Sequence, residues 1–334
     1  MTRKGQIKDW RLKRLLCTTA LLILGIGSAI AQSYPNKPIR FLVGFPAGSS
    51  NDMVARVVAA QVSKKLGQVV VVENRIGANG MLAAAELARA QPDGYTVFIS
   101  NSSTITVNPL LYKNLQYDIE KDFAPVSLLV SSPFILTINP DNEQTASVSK
   151  VGDLMTLARN KPDHLSYGSS GLGNLAHLSF ELLNRMAGVQ MVHVPYRGTP
   201  QMMSALLGKE FAAAFNVPAA TIPQIKAGKL KALAVSSQQR WRDLPDVPSI
   251  AEQGYPDFDI SFWFGAFVPA QTSQATVNTL YDAIKSAGDD PETRRLLLQH
   301  GDILMLNPQQ LTARIRAETK QFADIIKRSN IQLE

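Results

Sequence analysis

The turn Gly44-Phe45-Pro46-Ala47-Gly48-Ser49-Ser50-Asn51-Asp52 lies between an apolar run, Ile39 to Val43, and an amphipathic stretch that begins near Met53. The first amides of a helix have no acceptor inside it. Joined to a small-residue loop they make a concavity of partial positive charge, which suits a carboxylate or a phosphate. A second turn of the same kind, Gly168-Ser169-Ser170-Gly171-Leu172-Gly173-Asn174, follows His164 to Tyr167 and precedes a helical stretch, Leu175 to Met186. Two such cradles predict one anion gripped from two sides.

Other residues near these turns have two roles open to them. Asp52 either satisfies orphan amides as an N-cap or first-turn residue or bonds a ligand amine or bound water. His177, early in its helix, is a packing and hydrogen-bonding residue or a ligand contact. Arg197 could pair with a distal carboxylate or stay solvated. In Phe262-Trp263-Phe264 one face is core, and Trp263 either belongs to it or stacks on an aromatic acid.

Enzyme chemistry finds less support. Gly171-Leu172-Gly173-Asn174-Leu175-Ala176 fits a dinucleotide-binding pattern, but the acid expected after the next strand is missing from Val192-His193-Val194-Pro195. Ser169 and Ser170 lack the G-x-S-x-G sequence of the hydrolase elbow. The histidines His164, His177, His193 and His300 show neither triad nor zinc spacing. No catalytic residue, metal site or cofactor is therefore predicted.

The elements that must position the turns alternate. Ile39 to Val43, Val69 to Val72 and Tyr95 to Ser100 read as strands, and Val54 to Leu66 and Met81 to Ala90 as helices. This order implies parallel βαβ units. Val54, Val58, Val62 and Leu66 form one apolar stripe, and Gly67 ends that helix. Asn101-Ser102-Ser103-Thr104 leaves the carboxyl end of the third strand, where open α/β sheets line their crevice. Phe123 to Asn139 is one long extended segment, able to cross between domains. A second series follows: a helix from about Val148, the second cradle and its helix, Gln190 to Pro195, a helix to Leu207, Phe211 to Val217 and Leu230 to Ser236. The chain then returns through Phe258 to Pro269 and three helices near Thr276 to Ala287, Pro291 to His300 and Pro308 to Lys327. The predicted architecture is an α/β fold of two lobes joined by two crossings, with residues 32–131 plus 238–334 in domain 1 and residues 132–237 in domain 2. Two crossings give a cleft with a hinge.

Arg3, Lys4, Lys8, Arg11, Lys13 and Arg14 precede an apolar run from Leu15 to Ile26 and then Ala29-Ile30-Ala31, the pattern of a secretory signal peptide cleaved after Ala31. The run is shorter than the roughly 20 residues of a membrane span. Residues 1 to 31 carry six basic residues and one acid, so the formal +7 falls to +2 in the mature chain. The pI near 9.4 is mostly a targeting effect, and the scattered basic residues form no nucleic-acid stripe. Cys17 leaves with the signal, so the exported chain has no disulfide. It is expected to be periplasmic and monomeric.

Ordered motifs along nearly the whole mature chain resemble those of the Bug or TctC substrate-binding proteins of tripartite tricarboxylate transporters. They include Tyr34-Pro35-Asn36-Lys37-Pro38-Ile39-Arg40, Pro46-Ala47-Gly48 through Asp52, Leu66-Gly67-Gln68 through Glu73-Asn74-Arg75 with Gly77-Ala78, and Pro92-Asp93-Gly94-Tyr95-Thr96. Asp122-Phe123-Ala124-Pro125-Val126, Tyr167 to Gly171, His193-Val194-Pro195-Tyr196-Arg197-Gly198 and Leu244-Pro245-Asp246-Val247-Pro248 continue the series. The resemblance implies an extracytoplasmic receptor of the periplasmic-binding-protein, or Venus flytrap, fold. Its ligand would be a small organic carboxylate (a di- or tricarboxylate, an aromatic acid or an amino acid), passed to membrane permease subunits. A sensing module for a signalling partner remains the alternative. The resemblance also implies contacts from Phe45, Ala47, Gly48, Ser49 and Asp52, with Asn101 and Ser102 nearby, and from Ser169, Ser170, Gly171, Gly173 and Thr199. Ser49 replaces a usual glycine; if that position needs positive φ, serine carries a steric cost.

Overall fold

The computed structural model describes residues 34–162 and 164–329. The predicted signal peptide, Cys17 and the junction after Ala31 lie outside them. The chain divides into two units, Met1–Asn36 and Lys37–Glu334, and the second carries both sheets.

β1 (Ile39–Val43) is a buried strand whose Ile39, Phe41, Leu42 and Val43 have no solvent exposure. It runs through the first turn into α1 (Ser50–Leu66), where Val54, Val58 and Val62 form the buried stripe. Gly67, at φ 68°, ends α1 by turning its amide back to Ser63 O at 2.9 Å. β2 (Val70–Asn74), α2 (Met81–Ala88) and β3 (Thr96–Asn101) follow, and β1 pairs parallel with both strands. Beyond a single π-type turn at Ser103–Val107, α3 (Asn108–Leu111) and α4 (Ile119–Asp122) lead to the long extended segment.

That segment is β4 (Phe123–Pro133) and β5 (Ile135–Ile138), interrupted only at Phe134, and the two halves belong to different sheets. The second series comprises α5 (Val151–Asn160), β6 (Ser166–Ser169), α6 (Leu175–Ala187), β7 (Val192–Pro195), α7 (Thr199–Leu207), β8 (Ala213–Asn216), α8 (Pro218–Lys226) and β9 (Lys231–Val235). The return is β10 (Ser261–Pro269), followed by α9 (Gln274–Asp289), α10 (Pro291–Leu297), β11 (Asp302–Leu306) and α11 (Pro308–Ser329). Among the described residues the strands form a six-stranded sheet, β11-β4-β10-β3-β1-β2, and a five-stranded sheet, β7-β6-β8-β5-β9. Each sheet with its helices is one lobe of a two-lobed α/β fold.

The βαβ units pair parallel as expected, β1 with β2 and β3 and β6 with β7 and β8, and the sheets are mixed because the other strands run antiparallel. β10 runs antiparallel to β3 and β4, β11 antiparallel to β4, and β5 antiparallel to β8 and β9. The reason is the connectivity: a chain that leaves one sheet along β4 and comes back through the same junction along β10 must run in the opposite direction. The crossings are laced together. Phe134 N donates to Ser236 Oγ (2.7 Å) and Ser236 N to Phe134 O (2.9 Å), while Ser236 Oγ donates to Ile260 O (2.6 Å) and Ile260 N to Ser236 O (2.9 Å).

Four elements escape the sequence pattern: the four-residue helices α3 and α4, then α8 and β11. α8 fills the gap between Val217 and Leu230, its prolines hiding it: Pro218 sits in the first turn, where no amide is needed, and only Pro223 is interior. β11, five residues at a sheet edge, is too short to announce itself.

The period of two along β10 settles Trp263. It is fully buried, its Nε1 donating to Glu318 Oε2 of α11 at 2.6 Å, so it is core and no stacking platform. Phe262 and Phe264, on the other face, are turned toward the cleft between the lobes.

Candidate functional site

Because β1 and β3 are parallel neighbours, their carboxyl-end loops lie side by side, and so do those of β6, β7 and β8. The two groups of loops face each other across a chamber. The first lobe contributes Phe45, Ser49, Ser50, Asn51, Asn79, Asn101 and Ser103; the second contributes Ser170, Asn174, Ala176, Thr199 and Val217. Phe134 at the crossing, with Phe262 and Phe264 of β10, closes the apolar side. About 40 Å³ is open to the centres of water-sized groups, several times what one water needs. Among the described residues no Lys, Arg, His, Asp or Glu lines this chamber.

In the first cradle the helix starts three residues earlier than predicted. Ser49 is the N-cap, at φ −69° and ψ 157°, and its Oγ accepts Asp52 N (3.4 Å). The left-handed residue is Gly48, at φ 79°, so serine at position 49 carries no backbone strain. Asp52 is therefore a first-turn residue, and it is buried. Its carboxylate accepts Gly48 N (3.0 Å), Asn74 Nδ2 (2.9 Å) and Arg56 Nε (3.0 Å). Burial opposes its charge, but these bonds from Arg56, Gly48 and Asn74 prevail and hold the carboxyl below the usual range. Asn51 Nδ2 donates to Ile99 O (2.8 Å) and Asn101 Nδ2 to Asn51 Oδ1 (2.9 Å), tying the helix start to β3. Among the described residues, the amides of Ser50 and Asn51 have no protein acceptor.

In the second cradle Asn174 caps α6, its Oδ1 accepting His177 N at 2.9 Å. Gly173 N donates to His177 Nδ1 (3.1 Å), and Leu175 N crosses the cleft to Ser103 Oγ (2.8 Å). Ala176, between them, keeps an amide with no protein acceptor among the described residues. A second bond between the lobes joins Tyr112 Oη to Leu172 O (3.1 Å). Three unpaired amides, from Ser50, Asn51 and Ala176, thus belong to residues lining one chamber at the starts of two helices. Each helix start carries about half an elementary positive charge. Together they match one carboxylate.

Behind the second cradle, His177 and His193 stack with ring centres 3.8 Å apart, and His193 Nε2 lies 2.7 Å from Ser169 Oγ. This is not a nucleophile and its base: Ser169 is fully buried, donates to Gly171 O (2.9 Å) and does not line the chamber. Burial, and for His177 also the neighbouring His193, depresses the pKa values of His177 to about 3 and His193 to about 4; burial alone takes His300 to about 4. These residues fold neutral, whereas the unfolded chain protonates near 6.5. Below that pH the unfolded state binds more protons, so their contribution to stability, complete above pH 6.5, is lost as pH falls toward 4. Calorimetry between pH 7.5 and 5 should show stability falling with acid by up to about 1.4 kcal/mol per pH unit per histidine, and His300→Gln should flatten the slope by roughly a third. A parent profile that is level over this range would contradict it.

Of the residues implied by resemblance, Phe45, Ser49, Asn101, Ser170 and Thr199 line the chamber. Gly171 lines an adjoining outer groove instead. Ala47 and Gly48 are exposed at the turn tip, and Asp52, Ser102, Ser169 and Gly173 stand behind the surface as supports. Ser50, Asn51, Asn174 and Ala176 sat inside the motifs without being singled out. Asn79 had no sequence signal. It occupies a tight turn in which Ala78, Asn79 and Gly80 have φ of 45°, 51° and 84°, and a Cβ on Gly80 would meet Thr104 Oγ1 at 2.5 Å. Among the described residues no group of three His, Cys, Asp or Glu could hold a metal, and no helix is long and apolar enough to cross a membrane.

Comparison with known proteins agrees with the two-lobed fold. A UPF0065 protein of Bordetella pertussis is 32% identical over 328 residues, covering 98% of this chain and 99% of its own. The periplasmic binding protein BugD superposes with a TM-score of 0.83 at 32% identity, covering 90% of this chain and all of that one. An R. palustris protein solved with adipate gives a TM-score of 0.84 at 30% identity, covering 90% and 99%. The fold is thus that of a periplasmic binding protein. Residues 54–331 match the model of the tripartite tricarboxylate transporter family receptors, and the chain belongs to that family of solute receptors.

Proposed function

We propose that this receptor captures a small organic carboxylate between its lobes in the periplasm and delivers it to a tripartite tricarboxylate-type membrane permease. The observation that carries the reading is the convergence of Ser50, Asn51 and Ala176, whose amides have no protein acceptor among the described residues, on one chamber that none of those residues lines with a charged side chain. Such amides bind an anion without the reorganisation that a long basic side chain would require. The adipate bound by the R. palustris protein supports the ligand class, and the predicted signal peptide supports export. The lobes act as domains, residues 32–131 plus 238–334 and residues 132–237, that part and close about the laced crossings at Phe134 and Ser236. Phe45, Ser49, Asn101, Ser170 and Thr199 contact the ligand directly. Asp52, Ser102, Ser169 and Gly173 hold the loops that do so.

Thermal-shift screening of residues 32–334 tests this. The ligands are di- and tricarboxylates, aromatic acids, amino acids and, as an enzyme control, NAD. A ligand that binds only the folded protein adds about 2.7 kcal/mol at 100 times Kd. Stabilisation by at least one carboxylate and none by NAD is the expected outcome. A shift with NAD alone would overturn the reading.

A further inference from the structure

Phe45, Asn79 and Ser170 line both the chamber and a larger groove, in which about 540 Å³ is open to the centres of water-sized groups. Its walls are largely apolar: Ile76, Met81 and Leu172 line it, and the Tyr112 and Tyr196 hydroxyls are engaged by Leu172 O and Glu210. Among the described residues Arg197 is the one charged residue on the groove. Its guanidinium is exposed and has no ion pair or hydrogen bond among the described residues.

We propose that this groove binds the far end of an elongated α,ω-dicarboxylate. One carboxylate sits on the chamber amides, an unsubstituted chain passes Asn79, and the second carboxylate pairs with Arg197. The inference rests on the carboxylate reading of the chamber. Two helix starts balance roughly one negative charge, so a second carboxylate inside the chamber has no counter-charge. The neck offers it little either. Asn79 Nδ2 is engaged by Asn108 Oδ1 (2.8 Å), Gly171 N by Ser169 Oγ (3.3 Å) and Gly198 N by Ser170 O (3.1 Å). The network fixes the Asn79 amide: Asn108 Nδ2 donates to Asn79 O and Tyr117 Oη, so Asn108 Oδ1 must be the acceptor. Asn79 Oδ1 is left buried with no donor among the described residues, an acceptor where a carboxylate would bring more acceptors. A short dianion therefore has no place for its second charge, whereas a longer one reaches a guanidinium whose planar fork matches a carboxylate. Hydroxyl groups along the chain would lie against Ile76, Met81 and Leu172 without partners.

Calorimetric titration of the purified protein with adipate and suberate, and with hexanoate and octanoate as chain-matched monocarboxylates, tests the assignment. The dicarboxylate of each pair should bind about 10- to 100-fold more tightly, and Arg197→Met should cut that ratio by a similar factor. Arg197 is exposed, and circular dichroism verifies that the variant folds. An unchanged ratio in Arg197→Met, or succinate binding as tightly as adipate and suberate, would overturn the inference and leave the chamber reading standing. Failure of the parent protein to bind any carboxylate would remove both.

Discussion

An aspartate at Ala176 abolishes carboxylate binding while leaving the protein at least as stable as the parent. Ala176 is 4% exposed, lines the chamber and is the second residue of α6. An acid in the first turn of a helix is favoured by the helix dipole and by the unpaired amides, which it can engage itself. The built-in carboxylate then occupies the place and cancels the charge that the ligand needs. Affinity should fall by about 1000-fold or more, equivalent to roughly 4 kcal/mol. Calorimetric titration measures the binding and differential scanning calorimetry the stability. Affinity retained within about tenfold of the parent would mean that the anion binds elsewhere. Ala176→Ser, which adds a hydroxyl without charge, separates the electrostatic effect from the steric one.

Replacing Asp52 by alanine produces the opposite pairing, with stability and binding lost together. The carboxylate is buried and accepts from Gly48 N, Asn74 Nδ2 and Arg56. Removing one partner of a buried charged network costs about 3 kcal/mol, because the groups left behind are desolvated and unpaired. Gly48 and Asn74 also shape the turn, since Asn74 Nδ2 bonds Phe45 O at 2.9 Å, and Phe45 lines the chamber. Ligand affinity should therefore drop at least about tenfold as well. The pH dependence follows from the lowered carboxyl pKa. The stabilisation is complete above the unfolded value near 3.9 and disappears as pH falls through the lower folded value. The difference in melting temperature between Asp52→Ala and the parent should hold steady near neutrality and shrink below about pH 4. An Asp52→Ala protein as stable as the parent at pH 7 would show that the network contributes nothing.

Much of the molecule is legible from one sequence because its signals are local. Ile39 to Val43 is bounded as a strand by its apolar run and the turn behind it, and α1 ends at Gly67 because a left-handed residue there needs no Cβ. The extended run through Phe134 announces a crossing between sheets. Strand direction is less legible. Alternation of strand and helix is the same pattern whether the returning β10 lies parallel or antiparallel to β4, and only the paired crossing decides it. Helix α8 is hidden because proline is read as a breaker, although Pro218 stands where it does no harm.

The sequence by itself determined that two small-residue turns precede two helices and that an anion suits their exposed amides. Which amides remain free was decided by tertiary structure. Gly48 N is engaged by Asp52, Gly173 N by His177, and Leu175 N by Ser103 from the other lobe. Those partners are distant in sequence, or set by rotamers that only packing fixes, so no motif could separate the supporting residues from those that line the chamber. Asn79 and the three phenylalanines entered the site for the same reason. They are brought there by the meeting of two lobes, and a residue's neighbours across a cleft leave no mark on its neighbours along the chain.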